Sequence, residues 1–143
     1  MALPLSQDHF QSLFEYAPIS LWEEDYSGIK RLFDGLRQQG VGSLDTYLQT
    51  HPDFADACMR QMKLVHVNQQ TLDMMKAASQ EHLGARLDQV FRDGMHLPFR
   101  AELLAMWGGR LSWSVESINY TLDGQPVDVL LHWRILPGFE QNW

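Results

Sequence analysis

The chain has 143 residues, 45% hydrophobic and 20% charged, which suits one globular domain with a real core rather than a disordered polymer. A net charge of -7, with only 11 Lys and Arg scattered along the sequence, argues against a nucleic-acid surface or docking on an anionic membrane. The single cysteine, Cys58, excludes an internal disulfide framework and a multi-cysteine metal site. The start "MALPLSQDHF" has no basic region followed by a long apolar run, and no stretch reaches the length of a membrane span, so a cytoplasmic domain is expected.

The first element is a helix in "SQDHFQSLFEYAP", with Ser6 or Asp8 as cap, Phe10, Leu13 and Phe14 on one face, and Pro18 as its end. Ile19–Glu24 reads as a strand. Three short helices are expected over residues 27–61: the stripe Ile29, Leu32, Phe33 and Leu36 closed by Gly40, a second helix capped by Ser43, and a third with Pro52 in its first turn. Lys63–Val67 alternates as a strand, and Asn68 is placed to cap the helix carrying Leu72 and Met75. Ser79 opens another helical segment. A longer helix runs from about Leu97 to Gly108 and Gly109. Two antiparallel strands near 110–122 and 125–136 follow, joined at Asp123-Gly124, a pair suited to positive φ. This order predicts an α+β fold in one domain, 1–143, with an antiparallel sheet packed by helices on one face.

Three stretches in this order resemble the PAS domains of bacterial signalling proteins. "FQSLFEYAPISLWEED" is similar to the family's opening helix and first strand. "LVHVNQQTLDMM" is similar to its second strand and first core helix. "SINYTLDGQPVDVLLHWRILP" is similar to its third and fourth strands. The helices between Tyr26 and Gln61 resemble an insertion seen in the variant attached to sensor histidine kinases and diguanylate cyclases. The family's fifth strand, which lies between the first and fourth, has no counterpart after Pro137. The resemblance implies a sensory module within a longer signalling protein. It would bind a small ligand between sheet and helices, pass the signal to a kinase or cyclase output domain, and form a homodimer. The alternative is a ligand-free dimerisation or docking module.

The residues expected to form the ligand wall are Trp22, His66, Trp113, Val115, Asn119, Val129, Leu131 and Trp133: alternation puts Trp113 with Val115, and Val129 with Leu131 and Trp133, on single strand faces, and His66 or Asn119 would supply polar groups. Phe10, Leu13 and Phe14 are the expected dimer contact, with Leu130 and Leu136 on the outer face of the last strands beside it. No metal site is expected: the six histidines form no i, i+4 pair, and His66 and His132 read as sheet residues. The cofactor is unknown. Haem is disfavoured, resting on one histidine, His96, before the hairpin. Flavin photochemistry is disfavoured too, because the chain reads Val-Asn-Gln-Gln where that class carries Asn-Cys-Arg. Cys58 has no basic neighbour at i±4 to activate it. No catalytic residues are expected, and the chain reads as a non-enzyme. Of the adjacent acids Glu23, Glu24 and Asp25, at most two share a strand face. They read as a solvated strand end, while an inward Glu23 or Asp25 would meet a cationic or polar ligand group.

Overall fold

The computed structural model describes residues 6–143; the stretch read for a leader begins outside them. The fold is α+β, with eight α-helices and two small antiparallel sheets among the described residues. Helix α1 (Gln7–Glu15) leads through a turn into strand β1 (Trp22–Asp25). Helices α2 (Ser27–Gln38), α3 (Leu44–Thr50) and α4 (Asp53–Arg60) follow, so the insertion expected at 27–61 is three helices. Strand β2 (Lys63–Val67) pairs with β1. Helices α5 (Gln69–Met75), α6 (Gln80–Gly84) and α7 (Leu87–Val90) and a 3-10 turn (Asp93–Met95) lead to α8 (His96–Trp107). Strands β3 (Ser112–Tyr120) and β4 (Pro126–Arg134) form the final ribbon.

Local chemistry accounts for most of these boundaries. Ser43, Asn68 and Ser79 each accept a hydrogen bond from the backbone N–H three residues on, at Thr46, Thr71 and His82. Gly40 (φ +86°) supplies the left-handed residue after α2. Pro98 is third in α8, where the missing N–H breaks no helical bond. At the hairpin, Gly124 has φ +90°, and Thr121 N–H donates to Gln125 O at 2.9 Å. Lys76 then fastens the end of α5 to Asp123 at 2.9 Å.

The core is built mostly by the inserted helices and α8. Ile29, Phe33, Leu36, Leu44, Leu48 and Cys58 are buried with Phe99, Leu103 and Met106 of α8. Phe33 stands edge-on to Trp107 at 5.3 Å and to Trp143 at 5.7 Å. Each such large apolar side chain contributes about 1.5–3 kcal/mol by leaving water.

Asn68 answers to more than one helix. It is fully buried, and its Nδ2 donates to Phe14 O (3.1 Å) and Ile19 O (2.8 Å). Its Oδ1 accepts from Leu21 N–H at 3.1 Å as well as from Thr71 N–H. One side chain thus ties the end of α1, the approach to β1, and the start of α5. It also explains why β1 begins at Trp22 rather than Ile19: the polar backbone groups of Ile19 and Leu21 are bonded to Asn68, not to a ladder.

Strand β2 carries a bulge. Glu23 pairs with His66 and Glu24 with Leu64, leaving Val65 unpaired. Leu64 and Val67, three residues apart, would lie on opposite faces of a regular strand; the extra residue turns both towards the core. The Gln80 side chain covers the bulged edge, accepting from Val67 N–H at 3.0 Å and donating to Val65 O at 2.7 Å.

The strands form two ladders, β1–β2 and β3–β4, and no ladder joins β1 to β4. No strand follows β4 among the described residues. The chain end returns beside β1, where Tyr26 N–H donates to Trp143 O at 3.1 Å.

Candidate functional site

The β3–β4 ribbon has one face towards the helices and one towards solvent. Register places Trp113 opposite Trp133, Val115 opposite Leu131, Ser117 opposite Val129 and Asn119 opposite Val127. These residues alternate with exposed Ser112, Ser114, Glu116, Leu130 and His132. Six of the residues expected from the sequence therefore share the inward face: Trp113, Val115, Asn119, Val129, Leu131 and Trp133. The ribbon is long, however. Trp113 and Asn119 are six residues apart, about 20 Å of strand, so they belong to different ends. At the Asn119 end, Ser117 Oγ donates to Met95 Sδ at 3.0 Å, and Asn119 Oδ1 is buried without a hydrogen-bond partner.

The other two expected wall residues lie on β1–β2. Trp22 packs towards the core, with its ring 5.8 Å from Phe91 and its indole N–H donating to Ser20 Oγ at 2.8 Å. His66 is on the far side of its ladder. Its ring is 4.6 Å from Phe14, and its Nε2 lies 3.4 Å from Glu15. The bulge at Val65 is the cause, since it spends one residue of alternation between Leu64 and His66. Helix α1 lies against this outer face through Phe14, while Phe10 and Leu13 are each 56% exposed. His96 is exposed at the start of α8.

The Trp113–Trp133 end of the inward face holds an unusual polar group. Glu102 of α8 is 1% exposed, and neither carboxyl oxygen has a hydrogen-bond partner. It sits within the helix's buried stripe, among Phe99, Leu103 and Met106. Glu24 of β1 faces the same space, with Oε2 buried and unpartnered. The indole N–H groups of Trp113 and Trp133 are also buried and unpartnered. The Trp133 indole approaches Glu102 closely enough to favour its charged form, but the two do not complete a well-formed hydrogen bond.

The electrostatics follow from burial. Loss of water pushes the Glu102 carboxyl up to about 8, and the Glu24 charge pushes in the same direction. Burial also raises Glu24, partly offset by the Tyr26 hydroxyl. Tyr26 is raised well above the usual phenol range by burial and by both carboxylates. Asp25 moves the other way, because the Ser27 side chain and backbone hydrogen-bond it; its Oδ1 accepts from Ser27 N–H at 2.8 Å. Of the three adjacent acids, the inward one is thus Glu24. Glu23 is exposed, and Asp25 is held at the start of α2.

Glu102 was not singled out from the sequence. The signal was present: a charged residue three after Phe99 and one before Leu103, on an otherwise apolar stripe.

A surface concavity of about 660 Å³ lies elsewhere. It is an open groove bounded by Gly94, Pro98, Glu116, Ile118, Asp128 and Leu130, and Val129 is the only expected wall residue along it. Among the described residues, no group of three or more His, Cys, Asp or Glu is gathered as a metal ligand set, and no helix is long and apolar enough to cross a membrane.

Comparisons with protein-family models, with curated proteins and with solved structures each return no match.

Proposed function

We propose that the chain is a sensory module of PAS type, a regulatory domain rather than an enzyme. It takes a small ligand between the inward face of the β3–β4 ribbon, β1 and α8, and passes the signal to an output domain of kinase or cyclase type. The observation that carries the ligand reading is Glu102: a carboxyl 1% exposed with both oxygens unpartnered, set against two unpartnered indole N–H groups. Buried polar groups are nearly always bonded, and unbonded ones that converge beside aromatic walls are the mark of a binding site. The element order supports the family reading, because three helices separate β1 from β2 and the ribbon comes last. A cytoplasmic location and a homodimer through Phe10, Leu13 and Phe14 belong to the same proposal.

The docking alternative is supported by exposed apolar side chains: Phe10 and Leu13 on α1, and Leu130 (74%) and Leu136 (56%) on and after β4. Native mass spectrometry beside the denatured mass separates the two. Excess mass per protomer supports the sensory reading, and its value distinguishes haem or flavin from a small metabolite. A ligand-free dimer supports docking.

A further inference from the structure

Two carboxyl groups reach the Trp113–Trp133 end of the ribbon from different elements, Glu24 from β1 and Glu102 from α8. Three of their oxygens are closed to water and unbonded, and none of the ion pairs among the described residues includes either acid. Buried charge is tolerated when a counter-charge and hydrogen bonds accompany it. The complement of this site is therefore a group that donates several hydrogen bonds and carries positive charge. A bound cation would favour the charged form of both carboxyls, whereas an anion would gain nothing from either. A hard divalent cation would need more oxygen ligands than two carboxyls supply, and no third acidic or imidazole ligand joins them among the described residues. The aromatic rings select further, since an indole face attracts an organic cation. Arg110 already lies 5.0 Å from the centroid of the Trp113 ring, so that ring accepts a positive charge.

β1 and β4 belong to separate ladders, and Glu24, Trp113 and Trp133 are half-buried as whole residues while Glu102 is fully buried.

We propose that this end of the ribbon binds a small organic ammonium ion, with its N–H groups taken by Glu24 and Glu102 and its charge set against the Trp113 and Trp133 indoles. The inference rests on the sensory reading and names the ligand class for that same site. The unpartnered indole N–H groups add a preference for an ammonium compound that also carries a hydrogen-bond acceptor.

The test uses the full chain labelled with 15N, following the five indole N–H resonances. Methylammonium and benzylammonium are the probes. Methanol, benzyl alcohol and benzoate are the uncharged and anionic counterparts. The expected result is saturable shifts of the Trp113 and Trp133 signals, with the ammonium ions at least tenfold tighter than the alcohols and no saturation by benzoate. Glu102→Gln and Glu24→Gln each weaken ammonium binding about tenfold or more, the loss expected for removing one charged hydrogen-bond partner. Glu102→Gln keeps the residue's shape without its charge, and an unchanged dispersion of the remaining signals separates lost binding from lost fold. Equal binding of alcohol or benzoate at these indoles, or full affinity in Glu102→Gln, overturns the ammonium assignment and leaves the sensory reading standing. No shift with any probe by millimolar concentration also overturns the assignment. The sensory reading falls with it only if the native mass spectrum carries no excess mass.

Discussion

Glu102→Gln should make the protein more stable, and more so as pH rises. In the unfolded chain this carboxyl titrates near 4.5; in the fold it titrates near 8 because α8 buries it. Between those values the folded state holds a proton that the unfolded state has lost, so stability falls as pH increases. At 1.36 kcal/mol per pH unit the full interval amounts to about 5 kcal/mol, complete above pH 8 and absent below pH 4.5. By pH 7 the loss is about 3 kcal/mol, a large share of the 5–15 kcal/mol that holds a typical domain together. Glu24 is raised by the same burial and adds to the slope in the same direction. Glutamine fills the same space and does not titrate. Urea unfolding of the two proteins at about pH 5, 7 and 9 should give similar midpoints at the acid end and a gap widening to several kcal/mol at the alkaline end. Parallel pH dependence in the two proteins, or a Glu102→Gln protein less stable at about pH 9, would refute the claim that an uncompensated carboxyl is buried there.

Asn68→Ala should cost about 3–4 kcal/mol: about 1 for the helix cap and the rest for backbone groups of Phe14, Ile19 and Leu21 left without a partner. A thermal melt followed by circular dichroism reads it, and a loss below about 1 kcal/mol would mean that water replaces the side chain. Gly28→Ala, normally a gain in a helix, should instead destabilise by about 1–3 kcal/mol, because the new Cβ meets Gln61 Oε1 at 2.5 Å and Gln61 Cβ at 2.8 Å. Pairing it with Gln61→Gly should recover most of that loss in the same urea assay. Cys58 is fully buried and its thiol is pushed up to about 12 by loss of water, so a thiol reagent at neutral pH should label it only as fast as the protein unfolds. Rapid stoichiometric labelling in native buffer would contradict its placement on the buried face of α4.

Much of the fold was legible because its signals are local. Ser43, Asn68 and Ser79 mark helix starts by side-chain chemistry that depends on three residues. Asp123-Gly124 marks the hairpin by the dihedral it tolerates. Alternation then put Trp113 and Val115 on one face, and Val129, Leu131 and Trp133 on one face, as the ribbon has them. The signals failed where a neighbouring element decides the outcome. Alternation says which residues share a face but not which face is inward, so the inward acid was expected at Glu23 or Asp25 where the structure turns Glu24 inward. The bulge at Val65 breaks the rule inside one five-residue strand and carries His66 to the α1 side. Glu102 lies on a helix that was read only for its extent, from about Leu97 to Gly108. Its importance comes from Glu24 and Trp133, which approach it from segments far away in sequence.

The bonds of Asn68 also bear on the order in which the chain assembles. They span 47 to 54 residues, reaching back across the whole of α2, α3 and α4. Closing so long a loop costs entropy before any contact rewards it, whereas the helices inside the loop touch near neighbours in sequence. The inserted helices are therefore expected to gather first and shorten the loop, with β1 fixed afterwards. Pulsed hydrogen exchange during refolding should protect the amides of α2 before that of Leu21. The reverse order would mean that Asn68 nucleates the fold instead of locking it.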